Sequence, residues 1–353
     1  MFDIYKSLIR PLFFKLDPEL SHEIACSLLS IIEKSRFSKT LIRKIINAKG
    51  SEINICGINF PNRIGLAAGF DKNGLFPGVM SALGFGHVEI GTVTPEAQKG
   101  NPKPRLYRVP EEKALINRMG FNNHGSSSIL KRIEKYYPKI NRPSPLGVNI
   151  GKAKSTPLES ANEDYLTNLE RFWQVADYIT INVSSPNTQN LRELQQGSFL
   201  QPLLQEIDSK NISLAKTNNT KKIPCFVKIS PDESFSTIEN ILRIAHENNI
   251  SGIIATNTTN SRPNGCKVHQ KGGWSGGNFL KKQSSDIINF ISKLTQNKMP
   301  IIAAGGVWNA DSALEKIDAG ASLVQFYTSF VYEGPFLPKR LLFEINHRNS
   351  WFT

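Results

Sequence analysis

From residue 61 onward the chain repeats one pattern eight times: a short apolar run, a polar stop, and usually a helical stretch. The runs fall at 64–68, 88–91, 146–150, 178–183, 225–229, 252–256, 301–304 and 323–327. Each is followed by Gly, Asn, Ser or Thr. Eight strand–helix units over roughly 270 residues point to a (β/α)₈ barrel, whose chemistry lies in the loops after the strands. A doubly wound open sheet is the alternative, and the number of units favours the barrel.

Composition narrows the class. Hydrophobic residues at 39% with 21% charged describe a soluble globular protein. The net charge of +13 asks for an anionic partner: nucleic acid, membrane or small molecule. Lys and Arg are scattered and no zinc-finger or RNP-type string accompanies them, so no nucleic acid is expected. Cys26, Cys56, Cys225 and Cys266 are widely spaced and the histidines show no metal spacing, so reduced thiols and no metal are expected. No run of about 18 apolar residues suggests a spanning helix.

The front end reads as two helices over residues 4–34. Tyr5, Leu8, Ile9, Leu12, Phe13 and Leu16 share one face, Pro11 should kink it, and Asp17-Pro18 starts the second helix. Spacing alone favours a pair packed on the core over a pair dipping into a bilayer.

The polar residues at the strand ends form a consistent set. They include Asp71, Lys72, Thr92, Thr94, Asn149, Lys152, Asn182, Ser185, Asn187, Lys228, Thr256, Asn257 and Thr258. Gly305-Gly306 and Tyr327-Thr328 follow the last two strands, where barrels commonly bind phosphate, and Ser275-Gly276-Gly277 can join them. Lys228 inside Cys225-Phe-Val-Lys-Ile229 needs a reason, and a cation beside a flavin's N1–O2 edge is one. Asn117, Asn182, Asn187 and Asn257 each offer donor and acceptor, which suits a ring with several amide or imide groups. The string Ser184-Ser-Pro-Asn187 serves an active site or a capped turn equally well when read alone.

Taken together, these strings resemble the dihydroorotate dehydrogenases, in particular the membrane-associated, quinone-using class 2 branch. The resemblance rests on Gly65-Leu-Ala-Ala-Gly-Phe-Asp-Lys-Asn-Gly74, Glu89-Ile-Gly-Thr-Val-Thr-Pro95, Lys103-Pro-Arg-Leu-Tyr-Arg108 and Asn117-Arg-Met-Gly-Phe-Asn-Asn123. Gly147-Val-Asn-Ile-Gly-Lys152, Ile181-Asn-Val-Ser-Ser-Pro-Asn187, Ala255-Thr-Asn-Thr-Thr259, Gly272-Gly-Trp-Ser-Gly276 and Gly305-Gly306 extend it over nearly the whole chain. Trp274 stands where leucine is usual, and Ala303-Ala304 replace a more glycine-rich pair.

The resemblance implies FMN as cofactor, with its ring and ribityl chain at Ala68, Gly69, Thr92, Asn149, Asn182, Lys228 and Thr256. Its phosphate would rest on Gly276, Gly306, Tyr327 and Thr328. Dihydroorotate would be held by Lys72, Asn117, Asn182, Asn187, Asn257 and Thr258, with the backbone of Arg118, Met119, Gly120 and Phe121 adding contacts. Ser185 would be the base that takes the C5 proton, where class 1 enzymes carry cysteine. Thr188 would serve as its relay and Phe121 as a wall, under a lid over residues 186–200.

The same resemblance makes the front helices a tunnel for ubiquinone or menaquinone, with His22, Arg108 and Tyr327 as polar contacts. It turns the preference toward the interfacial reading, with residues 1–45 as the membrane and tunnel segment and 46–353 as the FMN barrel. A monomer on an anionic membrane surface is expected, peripheral to the cytoplasmic face of a bacterial inner membrane. Two rivals remain: a catalytically silent peripheral membrane protein, and another FMN barrel acting on a 2-hydroxy acid. The latter wants a histidine base at a strand end, and neither His124 nor His246 sits on one.

Overall fold

Eight parallel strands close on themselves by hydrogen bonding. The computed structural model describes residues 3–349. Its strands are β1 (Ile53–Ile55), β2 (Ile58–Phe60), β3 (Ile64–Leu66), β4 (His87–Val93), β5 (Leu106–Val109), β6 (Ala114–Asn117) and β7 (Leu146–Ile150). They continue as β8 (Tyr178–Asn182), β9 (Cys225–Ile229), β10 (Gly252–Ala255), β11 (Gly273–Gly276), β12 (Ile301–Ala304) and β13 (Leu323–Phe326). The barrel runs β3, β4, β7, β8, β9, β10, β12, β13 and back to β3. Three of the expected runs, those of β7, β9 and β12, match to the residue. Strands buried on both faces read as continuous apolar runs, which is why they were legible.

Large and small residues interlock inside the barrel. Gly147 has no side chain because a Cβ there would lie 2.1 Å from the ring of Tyr178. The β1–β2 hairpin brings Phe60 under the barrel floor, where its ring meets His87 edge-to-face at 5.4 Å. Phe226, Ile254, Ile302 and Leu323 complete that apolar floor. Burial lowers the His87 imidazole to about 3, so it packs there as a neutral ring.

The front end is longer than expected and holds three α-helices. A π-helical turn, Tyr5–Ile9, leads into α1 (Arg10–Lys15), followed by α2 (Pro18–Glu33) and α3 (Arg36–Ile46). The winding changes just before Pro11, which has no N–H to give. Asp17 caps α2 as expected, accepting from the N–H groups of Glu19 and Leu20. Helix α3 escaped the sequence reading because Phe37, Leu41 and Ile45 make a narrow stripe between basic residues. All three are exposed, Phe37 at 78%. Leu8, Leu12, Leu28 and Ile31 are exposed as well, so the front helices present apolar side chains outward.

A small antiparallel sheet of β5, β6 and β11 rises over the barrel mouth, the excursion anticipated between strands two and three. Trp274 lies wholly inside this cap, donating to the Gly276 carbonyl at 3.1 Å, with the Arg262 guanidinium 5.7 Å from its ring. The departure at Trp274 is thus absorbed by the cap's own core, beside Val109, Ile116 and Leu280.

Candidate active site

The barrel mouth holds a cavity of about 1150 Å³, its open entrance included. Its lining gathers most of the strand-end residues. Ser185, Lys72, Asn117, Asn182, Asn187, Asn257 and Thr258 are all on its wall. So are Met119, Gly120 and Phe121, from the segment that follows β6.

The four amides form two pairs. Asn187 Nδ2 donates to Asn117 Oδ1 at 3.0 Å, and Asn257 Nδ2 to Asn182 Oδ1 at 3.3 Å and Ser184 Oγ at 2.9 Å. Ser185 lies beside them, 6% exposed, its Oγ accepting from the Asn187 N–H at 3.3 Å. A backbone donor to Oγ stabilises a serine oxyanion, the form in which serine can accept a proton, and the burial largely excludes water. Thr188 Oγ1 is buried and has no hydrogen-bond partner among the described residues, so the expected Ser185–Thr188 relay is not formed here.

One end of the cavity suits an anion. Gly276, Gly306, Tyr327, Thr328 and Ser329 converge there, beside the N-terminus of the Gly277–Leu294 helix. Gly306 adopts φ +71°, and a Cβ on it would lie 2.3 Å from the Lys281 backbone. Ser329 Oγ and Thr258 Oγ1 are buried on this lining with no partner among the described residues. Buried hydroxyls left unpaired on a cavity wall are groups that a polar ligand satisfies. The donor set and the space fit a phosphorylated ring cofactor.

The ring end carries charge and amides. Ala68, Gly69, Thr92, Thr256 and Lys228 line it. Lys228 Nζ faces Glu89 Oε1 at 3.8 Å, deep in the barrel. Lys72 donates to the Gly69 carbonyl at 2.7 Å, and burial pulls its ammonium below the usual lysine value. Two expected contacts lie off the wall. Asn149 stands one layer behind, bonded to Thr92, Asn182 and Glu89. Arg118, of which only the backbone was expected, is not on the wall either, and its side chain donates to the Pro104 carbonyl.

Other strand-end residues have structural work instead. Asp71 accepts from the N–H groups of Asn73, Leu75 and Phe76, and Lys152 donates to the carbonyls of Ala153 and Thr156. The segment expected as an open lid over 186–200 contains a 3₁₀ turn, Leu191–Gln195, and the start of the Gly197–Thr217 helix. Arg192 ties it down, reaching the Ser184 carbonyl at 3.1 Å and Asp232 at 2.8 Å.

A second, apolar cavity of about 1030 Å³, its open entrance included, runs between the front helices and the barrel. His22, Ala25 and Phe13 line it, with Phe70 and Arg108 opposite. Leu106, Leu115 and Tyr327 line both cavities, so a thin wall separates them. Burial, then the charge of Lys72, lowers His22 to about 3, which leaves a neutral imidazole facing the apolar space. Among the described residues Arg108 makes no carboxylate pair. Its guanidinium donates to the carbonyls of Phe13, Phe14 and Leu16 and to Ser21 Oγ, and stacks 4.6 Å from the Phe14 ring.

Two residues of the ring end escaped the sequence reading. Glu89 and Gln325 are buried polar groups inside apolar strands, the same signal that drew attention to Lys228. Among the described residues no cluster of three or more His, Cys, Asp or Glu could hold a metal ion, and no helix is long and apolar enough to cross a membrane.

The chain is similar to known proteins over most of its length. The family model for dihydroorotate dehydrogenase matches residues 51–348. A dihydroorotate dehydrogenase (quinone) of Chloroflexus aurantiacus is 44% identical over 347 residues, covering 96% of this chain and 94% of that protein. One from Saccharophagus degradans is 46% identical over 333 residues, covering 93% and 95%. The crystal structure of DHODH from Eimeria tenella in complex with ferulenol superposes with a TM-score of 0.84 at 36% identity, covering 95% of this chain and 93% of that one. With a fold, a cavity pair and relatives that agree from end to end, the chain belongs to the dihydroorotate dehydrogenase family.

Proposed function

We propose that this protein oxidises dihydroorotate to orotate in pyrimidine biosynthesis and passes the electrons to a membrane quinone. Dihydroorotate dehydrogenases are flavin enzymes, and FMN is the flavin this cavity suits. The observation that carries the reading is the pair of cavities, one polar and one apolar, sharing Tyr327, Leu106 and Leu115. A two-substrate redox enzyme needs such a division, because dihydroorotate is an anion and a quinone is not.

Bound FMN supplies the hydride acceptor. Gly276, Gly306, Tyr327 and Thr328 would hold its phosphate, and Ala68, Gly69, Thr92, Asn182, Lys228 and Thr256 its ribityl chain and ring. Asn117, Asn187, Asn257 and Thr258 would hold the substrate ring with Asn182, and Lys72 its charge. Ser185 would take the C5 proton on Oγ as the serine oxyanion, its own proton having passed to solvent before the substrate closes the site, with the Asn187 N–H stabilising the oxyanion. Phe121 closes one side against water.

Residues 1–45 would form the tunnel and docking segment, with 46–353 as the FMN barrel. The outward Leu12, Leu28, Ile31 and Phe37, together with Arg36, Arg43 and Lys44, support an anionic membrane surface as the docking partner. A monomer, peripheral to the cytoplasmic face of a bacterial inner membrane, is the corresponding assembly.

Anaerobic titration tests the reading directly. The purified protein should be yellow, release FMN on denaturation, and bleach on adding dihydroorotate. Ubiquinone or menaquinone should restore the colour and fumarate should not. A protein that bleaches but recovers only with fumarate would overturn the quinone assignment.

A further inference from the structure

Strand β4 reads His87-Val-Glu-Ile-Gly-Thr-Val93, and all seven residues are buried. Glu89, at its centre, has no exposed surface at all. A carboxylate in such a place persists only when donors and a cation surround it. Here they come from four strands. Oε1 accepts from Asn149 Nδ2 on β7 at 2.8 Å and faces Lys228 Nζ on β9 at 3.8 Å. Oε2 accepts from Gln325 Nε2 on β13 at 2.9 Å and from the Tyr178 hydroxyl on β8 at 3.3 Å.

The orientation of this network is determined internally. Asn149 Oδ1 accepts from Thr92 Oγ1 at 2.5 Å and Asn182 Nδ2 at 3.0 Å, so its NH₂ is the group turned to Glu89. Beneath lies the apolar floor of Phe226, Ile254, Ile302 and Leu323, plugged by Phe60. That floor gives Glu89 no path to solvent. Above, Thr92, Asn182, Lys228 and Gln325 line the ring end of the cavity. Among the described residues Glu89 is the only carboxylate within ion-pair distance of Lys228.

We infer that Glu89 is a positioning residue for the redox step, aiming Lys228 at the flavin ring, holding Asn149 behind Thr92 and Asn182, and offsetting part of the Lys228 charge. The inference rests on the FMN reading given above. Lys228 alone would favour the anionic reduced ring strongly, because a bare cation in a dry barrel acts with little screening. The carboxylate behind it weakens that pull. The flavin's potential is then held where it can accept electrons from the substrate and still surrender them to a quinone.

Removing the negative charge should therefore raise the midpoint potential. In the holoenzyme, Glu89→Gln should shift the oxidised-to-reduced equilibrium at least about tenfold toward the reduced form. For a two-electron couple this is about 30 mV upward. Anaerobic equilibration against a reference dye reads it, with FMN stoichiometry measured in the same sample. A potential equal to the wild type's would overturn the inference. If Glu89→Gln does not fold, Tyr178→Phe carries the test. It keeps the ring, removes one donor from the carboxylate, and should move the potential downward; no movement would overturn the inference equally. Wild-type protein lacking FMN defeats the cofactor reading itself, and its spectrum decides that before any variant is made.

Discussion

Arg105 grips Glu19 with two nitrogens: Nη2 donates to Oε1 at 2.8 Å, and Nε lies 3.1 and 3.2 Å from the two carboxylate oxygens. Both side chains are buried, and the pair ties α2 to the segment before β5. The same guanidinium donates through Nη1 to the carbonyls of Lys99 and Asn101. Asn101 in turn donates to the carbonyls of Arg118 and Asn187, the second a residue of the polar cavity's wall. The helix of the apolar cavity and the loop of the polar one thus hang on one guanidinium.

Breaking that pair should be expensive. Arg105→Ala leaves the buried Glu19 carboxylate with only the half-exposed Lys103 ammonium, 3.5 Å away, and losing one partner of such a pair costs up to about 3–5 kcal/mol. Urea unfolding should show that loss. Replacing both residues together, as Glu19→Leu with Arg105→Met, should cost less than Arg105→Ala alone, because no charge is stranded. Equal losses would mean the ion pair itself is not what holds α2.

Ser185→Ala removes the hydroxyl proposed to take the proton beside the amide pairs, while leaving the residues proposed to hold the cofactor in place. Stopped-flow reduction by dihydroorotate near pH 7 should fall by at least about 10²-fold, the lower range for loss of a general base. FMN content should be unchanged. An unaltered reduction rate would remove Ser185 from the chemistry.

Ala25 projects from α2 into the apolar cavity and does not line the polar one. Ala25→Trp should fill that space. Quinone turnover should drop at least about tenfold, a barrier increase of about 1.4 kcal/mol, while flavin reduction by dihydroorotate stays at the wild-type rate. If both half-reactions slow equally, the two cavities do not divide the substrates as proposed.

The barrel was legible because its strands are buried on both faces, as at Cys225–Ile229, where every residue is interior. The site was legible because its polar residues stop those runs abruptly, as Asn182 and Ser185 stop β8. What sequence spacing missed is what only tertiary pairing creates. Strands β5 and β6 form a local hairpin, but β11 joins it from far along the chain, so Trp274 looked anomalous until Ile116 stood opposite it. Glu89 sat inside a quoted string, yet its neighbours Tyr178 and Gln325 become neighbours only when the barrel closes.

Lys316 gives the protein a pH dependence of its own. Its ammonium is fully buried between two outer helices, donating to the Lys281 carbonyl at 2.7 Å and Ser285 Oγ at 2.9 Å. Burial lowers its pKa to about 7, with Glu315 opposing the shift and Lys281 adding to it. In the unfolded chain the group titrates near the ordinary 10.5. Between these values the unfolded state binds more protons, so this residue makes stability rise with pH from about 7 to 10.5. Below that window the full penalty of a buried charge is present. Lys316→Met should remove it, stabilising the protein by roughly 2–4 kcal/mol near pH 6, since one pKa unit is about 1.4 kcal/mol and two hydrogen bonds are lost. The gain should shrink steadily as the pH approaches 10. Chemical denaturation of both proteins at pH 6, 8 and 10 measures it, and a gain that does not vary with pH would show that Lys316 titrates normally in the folded chain.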